Sequence, residues 1–290
     1  MTEKNRLMID GHVHIYDCYD LEKFFNTAVK NLNYFYHSLY SNGSPFSNIL
    51  LLTEGKTIDF FSQFKKWAAS PPGKNGAFPG NSRYRFLETK EDISVILAKG
   101  NEPQCYILRG RQIVTEENLE VLAVASSQTI EDGLPAETVI ERIIENHEIA
   151  VLAWGVGKWF LKRGKIIRGL IEKYRSLYLL MGDNSARPGF WPAPALFKQA
   201  GKLDIPLING SDPLPFKDDV TKVGSYGFSV EDDFNPHEPA RSLRDILIST
   251  GTKIDLFGQR DSAVSFFKRQ SKIYLKKYLT PSKKERKSNG

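Results

Sequence analysis

Short apolar runs closing in polar or glycine-containing turns alternate with stretches of helical spacing along this chain, and that alternation restricts the available folds more than any other feature. The first run, Leu7-Met8-Ile9, leads into Asp10-Gly11-His12-Val13-His14. Leu21, Phe24, Phe25, Ala28, Val29, Leu32, Phe35 and Tyr36 then predict a helix with one apolar face. Residues 47–55 predict a buried strand ending in the carboxylate Glu54, and 58–69 a helix whose Phe60, Phe61, Phe64 and Trp67 are core aromatics. A turn-rich loop over 70–83 precedes short strands at 83–87, 94–98 and 105–108, spaced as antiparallel hairpins. Strands at 112–115 and 119–125 follow. Beyond them the pattern predicts helices at 135–144, 166–174, 193–201 and 241–249, strands at 149–154, 176–181 and 205–209, and a terminal helix over 257–278.

Repeated strands with crossover helices imply a parallel sheet, and enough of them imply closure. The expected fold class is therefore α/β: a single TIM-like, distorted β/α barrel over residues 1–278, with a small β-hairpin insertion and a C-terminal helix. A basic, disordered tail is expected over 279–290. The net charge of +6 belongs largely to that end, because residues 276–290 alone carry +5 and leave the body nearly neutral. No specific nucleic-acid partner is expected from a charge so distributed. Two cysteines, Cys18 and Cys105, without a C-x-x-C partner, predict free thiols in a reducing cytoplasm. Met1 to Arg6 shows no signal-peptide core and no apolar segment approaches 18 residues, so a cytoplasmic protein with no membrane span is expected.

Successive strand side chains point to opposite faces, so His12 and His14 project together while Val13 turns away. In a chain with only five histidines, this pair after an apolar run is a candidate metal site; the alternative is two hydrogen-bonded histidines at a strand end. In barrels, functional residues sit just beyond the strands' C-terminal ends, where the predicted elements put His12, His14, Glu54, Lys158, Asp183 and Asp212.

The order of these motifs resembles the polymerase and histidinol phosphatase (PHP) family of metal-dependent phosphoesterases over roughly residues 7–227. His12-x-His14 looks like the family's first motif, and Leu52-Thr53-Glu54-Gly55 stands where the family has Thr-Asp-His. Gly110-Arg111-Gln112-Ile113 resembles its Gly-x-Glu strand, with an amide at Gln112, and the strand at 119–124 lacks the family's histidine. Ala150 to Gly155 resembles the Ala-His-Pro strand with Trp154 for the histidine. Gly210-Ser211-Asp212-Pro213-Leu214, followed by Val223-Gly224, resembles Gly-Ser-Asp-Ala-His and its downstream Val-Gly.

The resemblance implies a hydrolase of a small-molecule phosphoester with a reduced ligand set. His12, His14 and Asp212 would hold one divalent ion, zinc, manganese or iron, rather than a cluster. Glu54 would bind the ion or act as general base, Asp183 would position water, and Lys158 and Arg187 would neutralise phosphate oxygens. Amidohydrolase barrels also open with His-x-His, but the remaining histidines, His37, His147 and His237, follow no convincing strand. No P-loop or G-x-S-x-G motif is present. The alternative to catalysis is a PHP-like barrel that binds a ligand or a protein partner. The oligomeric state is not encoded in any of these motifs.

Overall fold

A computed structural model describes residues 4–40, 43–70, 78, 82–175, 178–249 and 251–279. The first apolar run becomes β1 (Asn5–Val13), buried along its last seven residues. Helix α1 (Leu21–Leu39) begins where the Asp20 carboxylate accepts the Lys23 N–H at 2.7 Å, and buries Phe24, Phe25, Ala28, Val29, Leu32 and Tyr36 along one face. The chain continues through β2 (Phe46–Leu52), α2 (Phe60–Ala68), β3 (Tyr84–Glu88), β4 (Ser94–Lys99), β5 (Glu102–Leu108), β6 (Arg111–Val114) and β7 (Glu120–Val124). Next come α3 (Ala136–Glu145), β8 (Ile149–Ala153), α4 (Leu161–Lys173), β9 (Leu179–Asn184), α5 (Ala195–Gly201) and β10 (Leu207–Gly210). A 3-10 helix (Lys217–Lys222) precedes β11 (Tyr226–Asp232), α6 (Pro239–Ile248), β12 (Asp255–Gly258) and α7 (Ala263–Leu279).

The strands form two open sheets, not the single TIM-like barrel expected from the alternation. One has seven strands in the order β12-β11-β1-β2-β5-β4-β3, the other five in the order β10-β9-β8-β7-β6. The reason is at β1. Strand β11 pairs antiparallel with it and β12 pairs antiparallel with β11, so the backbone groups that a closing strand would need on that edge are already used. Nor is the pairing all parallel: β1–β2, β2–β5, β8–β9 and β9–β10 are parallel, whereas β3–β4, β4–β5, β6–β7 and β7–β8 are antiparallel. The C-terminal helix starts at Ala263 and not at 257, because residues 257 and 258 of the expected helix belong to β12 (Asp255–Gly258).

The two sheets nevertheless face one another. Leu7, Ile9, Ile49, Leu51 and Phe228 of the first pack with Leu122, Val151, Leu180 and Ile208 of the second, and α6 adds Ala240, Leu243, Ile246 and Leu247 to this shared core. Outside it, α1 and α2 cover the first sheet, and α3, α4 and α5 the second. At about 25 cal/mol per Å² of apolar surface, these three cores supply the main drive to fold. The sheets meet at two seams. At one, β10 lies against the end of β1 with so little room that a Cβ on Gly11 would sit 2.7 Å from the Asn209 carbonyl oxygen. At the other, a lone bridge joins Glu54 to Arg111, with Gln112 N–H donating to the Glu54 carbonyl at 3.0 Å.

The tail expected over 279–290 lies outside the described residues, apart from the backbone of Leu279 at the end of α7. Among the described residues, no helix is long and apolar enough to cross a membrane.

Candidate functional site

The end of β1 and the end of β10 carry the residues that meet. His12 and His14 leave β1 on the same side, and their Nε2 atoms lie 3.0 Å apart. Asp212, two residues beyond β10, brings Oδ1 to 3.7 Å from both nitrogens. Its backbone lies in the left-handed region, φ +45, and its N–H donates to the His12 carbonyl at 2.8 Å. Asp is among the residues that tolerate that region, and such local strain persists only where the surroundings hold it.

Those surroundings are organised by Asp10, which is fully buried. Its carboxylate accepts the N–H of Ser211 at 2.8 Å and of Gly224 at 2.7 Å, and that of His12 at 3.3 Å. One side chain thereby ties the end of β1, the end of β10 and the approach to β11 together. Burial pushes its pKa up to about 6, against the pull of these hydrogen bonds.

Gln112, from β6 on the opposite sheet, completes the ring. Its Oε1 lies 3.0 Å from His12 Nε2 and 3.2 Å from His14 Nε2. Behind it the amide nitrogen faces Glu120 at 3.5 Å, and Glu120 is held by the Lys158 amine at 2.6 Å. Asn184 donates its amide both to the Trp154 carbonyl, at 2.8 Å, and to Asp212 Oδ2, at 2.9 Å, fixing the carboxylate's angle. The Tyr16 ring lies 5.8 Å from that of His14. Burial first, and then the charge of Asp212, hold its phenol protonated.

Burial, reinforced by His12, lowers His14 to about 4, so its imidazole is neutral at physiological pH. This creates a surplus of lone pairs. A neutral ring offers at Nε2 either a proton or a lone pair, while Gln112 Oε1 and the Asp212 carboxylate only accept. With one proton shared by the two nitrogens, a bare lone pair still faces the amide oxygen; with two, both protons crowd the same 3.0 Å gap. With the Gln112 oxygen turned toward the rings, no tautomer satisfies every contact, whereas a cation does. The spacing suits one: with bonds of ~2.0–2.1 Å, neighbouring donors lie ~2.9 Å apart in an octahedron and ~3.4 Å apart in a tetrahedron. The ligand atoms of His12, His14 and Asp212 all lie within 4.8 Å of one another.

The other residues singled out from the sequence take different positions. Glu54 Oε1 is turned onto the start of α2, accepting the N–H groups of Phe60 at 2.6 Å and Phe61 at 3.2 Å. Lys158 reaches the histidines only through Glu120 and Gln112. Asp183 and Arg187 form a buried two-pronged pair, Nε to Oδ1 at 2.8 Å and Nη2 to Oδ2 at 2.5 Å, joined by the Tyr226 hydroxyl at 2.9 Å.

Sequence reasoning assigns no role to Gln112, Glu120, Asn184 or Asp10. For Gln112 a signal exists, its place at the carboxylate position of the Gly-x-Glu motif. For Asp10 the signal is a lone acid inside an apolar run. Asn184 and Glu120 carry none, because their partners are remote in sequence.

Comparison with family models gives no match, and neither does comparison with curated proteins. Among solved structures the chain is similar to PsfC from Pseudomonas syringae PB-5123, at 13% identity and a TM-score of 0.54, over 95% of this chain and 100% of that one. That likeness concerns the fold.

Proposed function

We propose that this chain is a metal-dependent hydrolase of a small-molecule phosphoester, with one divalent ion, zinc, manganese or iron, held by His12, His14 and Asp212. The observation that carries this reading is the meeting of two imidazoles, one of them held neutral by burial, with a carboxylate and the Gln112 amide, their donor atoms spaced as ligands of one cation. The motif order of the PHP family, with His-x-His at one end and Gly-Ser-Asp at the other, supports it. A cation there supplies Lewis-acid stabilisation of charge developing on a phosphoryl oxygen. The chain's own contribution is positional. Asn184 orients Asp212, Gln112 spans both imidazoles, and the Glu120–Lys158 pair anchors Gln112 from behind. The Tyr16 phenol, protonated, is a donor beside His14. A cytoplasmic setting, with Cys18 and Cys105 as free thiols, belongs to the same proposal.

One observation favours a second reading, a domain that binds a ligand or protein without turnover. Lys158 is engaged by Glu120 and Arg187 by Asp183, so the two cations proposed to grip phosphate each already hold a carboxylate. Elemental analysis separates metal binding from its absence: about one equivalent of transition metal is expected in wild type after incubation with zinc or manganese, and none in His12→Ala. A panel of phosphomonoesters and phosphodiesters then decides between the readings. Turnover lost in His12→Ala supports the hydrolase; stoichiometric metal without turnover supports the binding domain. Absence of metal defeats the metal site.

A further inference from the structure

On the opposite face of β9 and β10 from the histidines lies a cavity of about 310 Å³, lined in part by Asp183, Arg187, Asn209, Tyr226 and Arg260, with Phe197 and Phe257 among its apolar walls. The faces separate by strand alternation: Asn184 turns to Asp212, while Asp183, one residue earlier, turns to Arg187 and Tyr226. Asn209 is the ladder partner of Asp183, so the two share a face.

Three features of this cavity point to a ligand. Two guanidinium groups converge on one backbone oxygen, that of Trp191, with Arg187 Nη1 at 3.0 Å and Arg260 Nη1 at 3.1 Å. Only one lining carboxylate, Asp183, balances them, and it is saturated by Arg187 and Tyr226. Finally, Asn209 is 3% exposed, yet its Oδ1 has no hydrogen-bond partner among the described residues. Leaving such an acceptor unsatisfied costs about 1–3 kcal/mol, which a donor brought by a ligand would recover.

We propose that this cavity binds a small organic monoanion that carries a hydroxyl or amine donor next to its carboxylate and an apolar body. The Arg260 fork takes the carboxylate, Asn209 Oδ1 accepts the ligand's hydrogen, and Phe197 and Phe257 cover the carbon skeleton. The site is independent of the proposed metal centre, since it draws on none of His12, His14, Gln112 and Asp212.

Isothermal titration with mandelate, phenylacetate and methyl mandelate tests each element in the full-length wild-type chain. Mandelate has all three features, phenylacetate lacks the hydroxyl, and methyl mandelate lacks the charge. Saturable mandelate binding is expected, about fivefold or more weaker for phenylacetate and lost for methyl mandelate. Arg260→Gln is expected to weaken mandelate about tenfold or more, with Arg260→Lys in between. Chelating agents and His12→Ala should leave mandelate binding unchanged, so failure of the metal reading leaves this result standing, and the reverse. No saturable binding of mandelate to wild type up to about 20 mM, or equal affinity for the three probes, overturns the proposal.

Discussion

At the scale of single residues, the candidate centre is governed by where charge is placed or withheld. Gln112 is the clearest case, an amide where the PHP-like motif has a carboxylate and yet 3.0 Å from His12 Nε2. Gln112→Glu adds a negative charge beside Asp212, so the metal-free variant is expected to melt lower than wild type. Zinc or manganese should bind it about tenfold or more tightly, an outcome read by titration calorimetry. Glu54 gives a pH dependence of defined sign. Its pKa is raised to about 7, chiefly by burial, against an ordinary value of 4.5. The folded state therefore holds a proton that the unfolded chain releases between about 4.5 and 7, and stability falls as pH rises through that window. Glu54→Gln retains an oxygen acceptor for Phe60 and Phe61 but cannot ionise. Its stability relative to wild type should rise by on the order of 2 kcal/mol between pH 4.5 and 8, measured by urea unfolding at each pH.

At the scale of elements, the seam between β1 and β10 positions the site, and its close approach depends on glycine. A Cβ on Gly210 would fall onto the backbone and Cβ of His12. Gly210→Ala is expected to cost on the order of 2–4 kcal/mol and to abolish metal retention, checked by thermal unfolding together with elemental analysis. Elements with strong local signals were legible from the sequence: α1 follows its apolar spacing and the Asp20 cap, and β8 and β10 follow their apolar runs. The strands that decide the topology were not. Tyr226-Gly227-Phe228-Ser229-Val230 carries a glycine at its second position, needed because any Cβ there would meet the Ile9 carbonyl, and a glycine lowers strand signal in a sequence. β12 is only four residues long, and its last two, Phe257 and Gly258, fall inside the stretch whose apolar spacing predicts the terminal helix. Without those two strands, a string of strands and helices reads as a barrel; with them, β1 has no free edge. The site was legible where it lay within a strand-end motif, as at His12, His14 and Asp212. It was hidden where it depended on contacts between distant strands, as for Asn184 with Asp212.

At the scale of the whole molecule, the groups of the candidate centre come from both sheets. His12 and His14 extend the seven-stranded sheet, Gln112 belongs to the five-stranded one, and Asp212 follows its edge strand. Binding to the folded state alone stabilises it by RT ln(1 + [L]/Kd), about 4 kcal/mol at a thousandfold excess over Kd. Zinc or manganese is expected to raise the melting temperature of wild type by several degrees and that of His12→Ala not at all, read by calorimetry at fixed protein concentration. Each seam has few backbone bonds, and at one of them the Asp10 carboxylate stands in for a ladder, gripping Ser211 across the gap and Gly224 on its own sheet. Replacing that one buried acid would unfasten the mouth of the site while the shared apolar interior still held the two layers face to face, so the pocket's shape would go before its helices did.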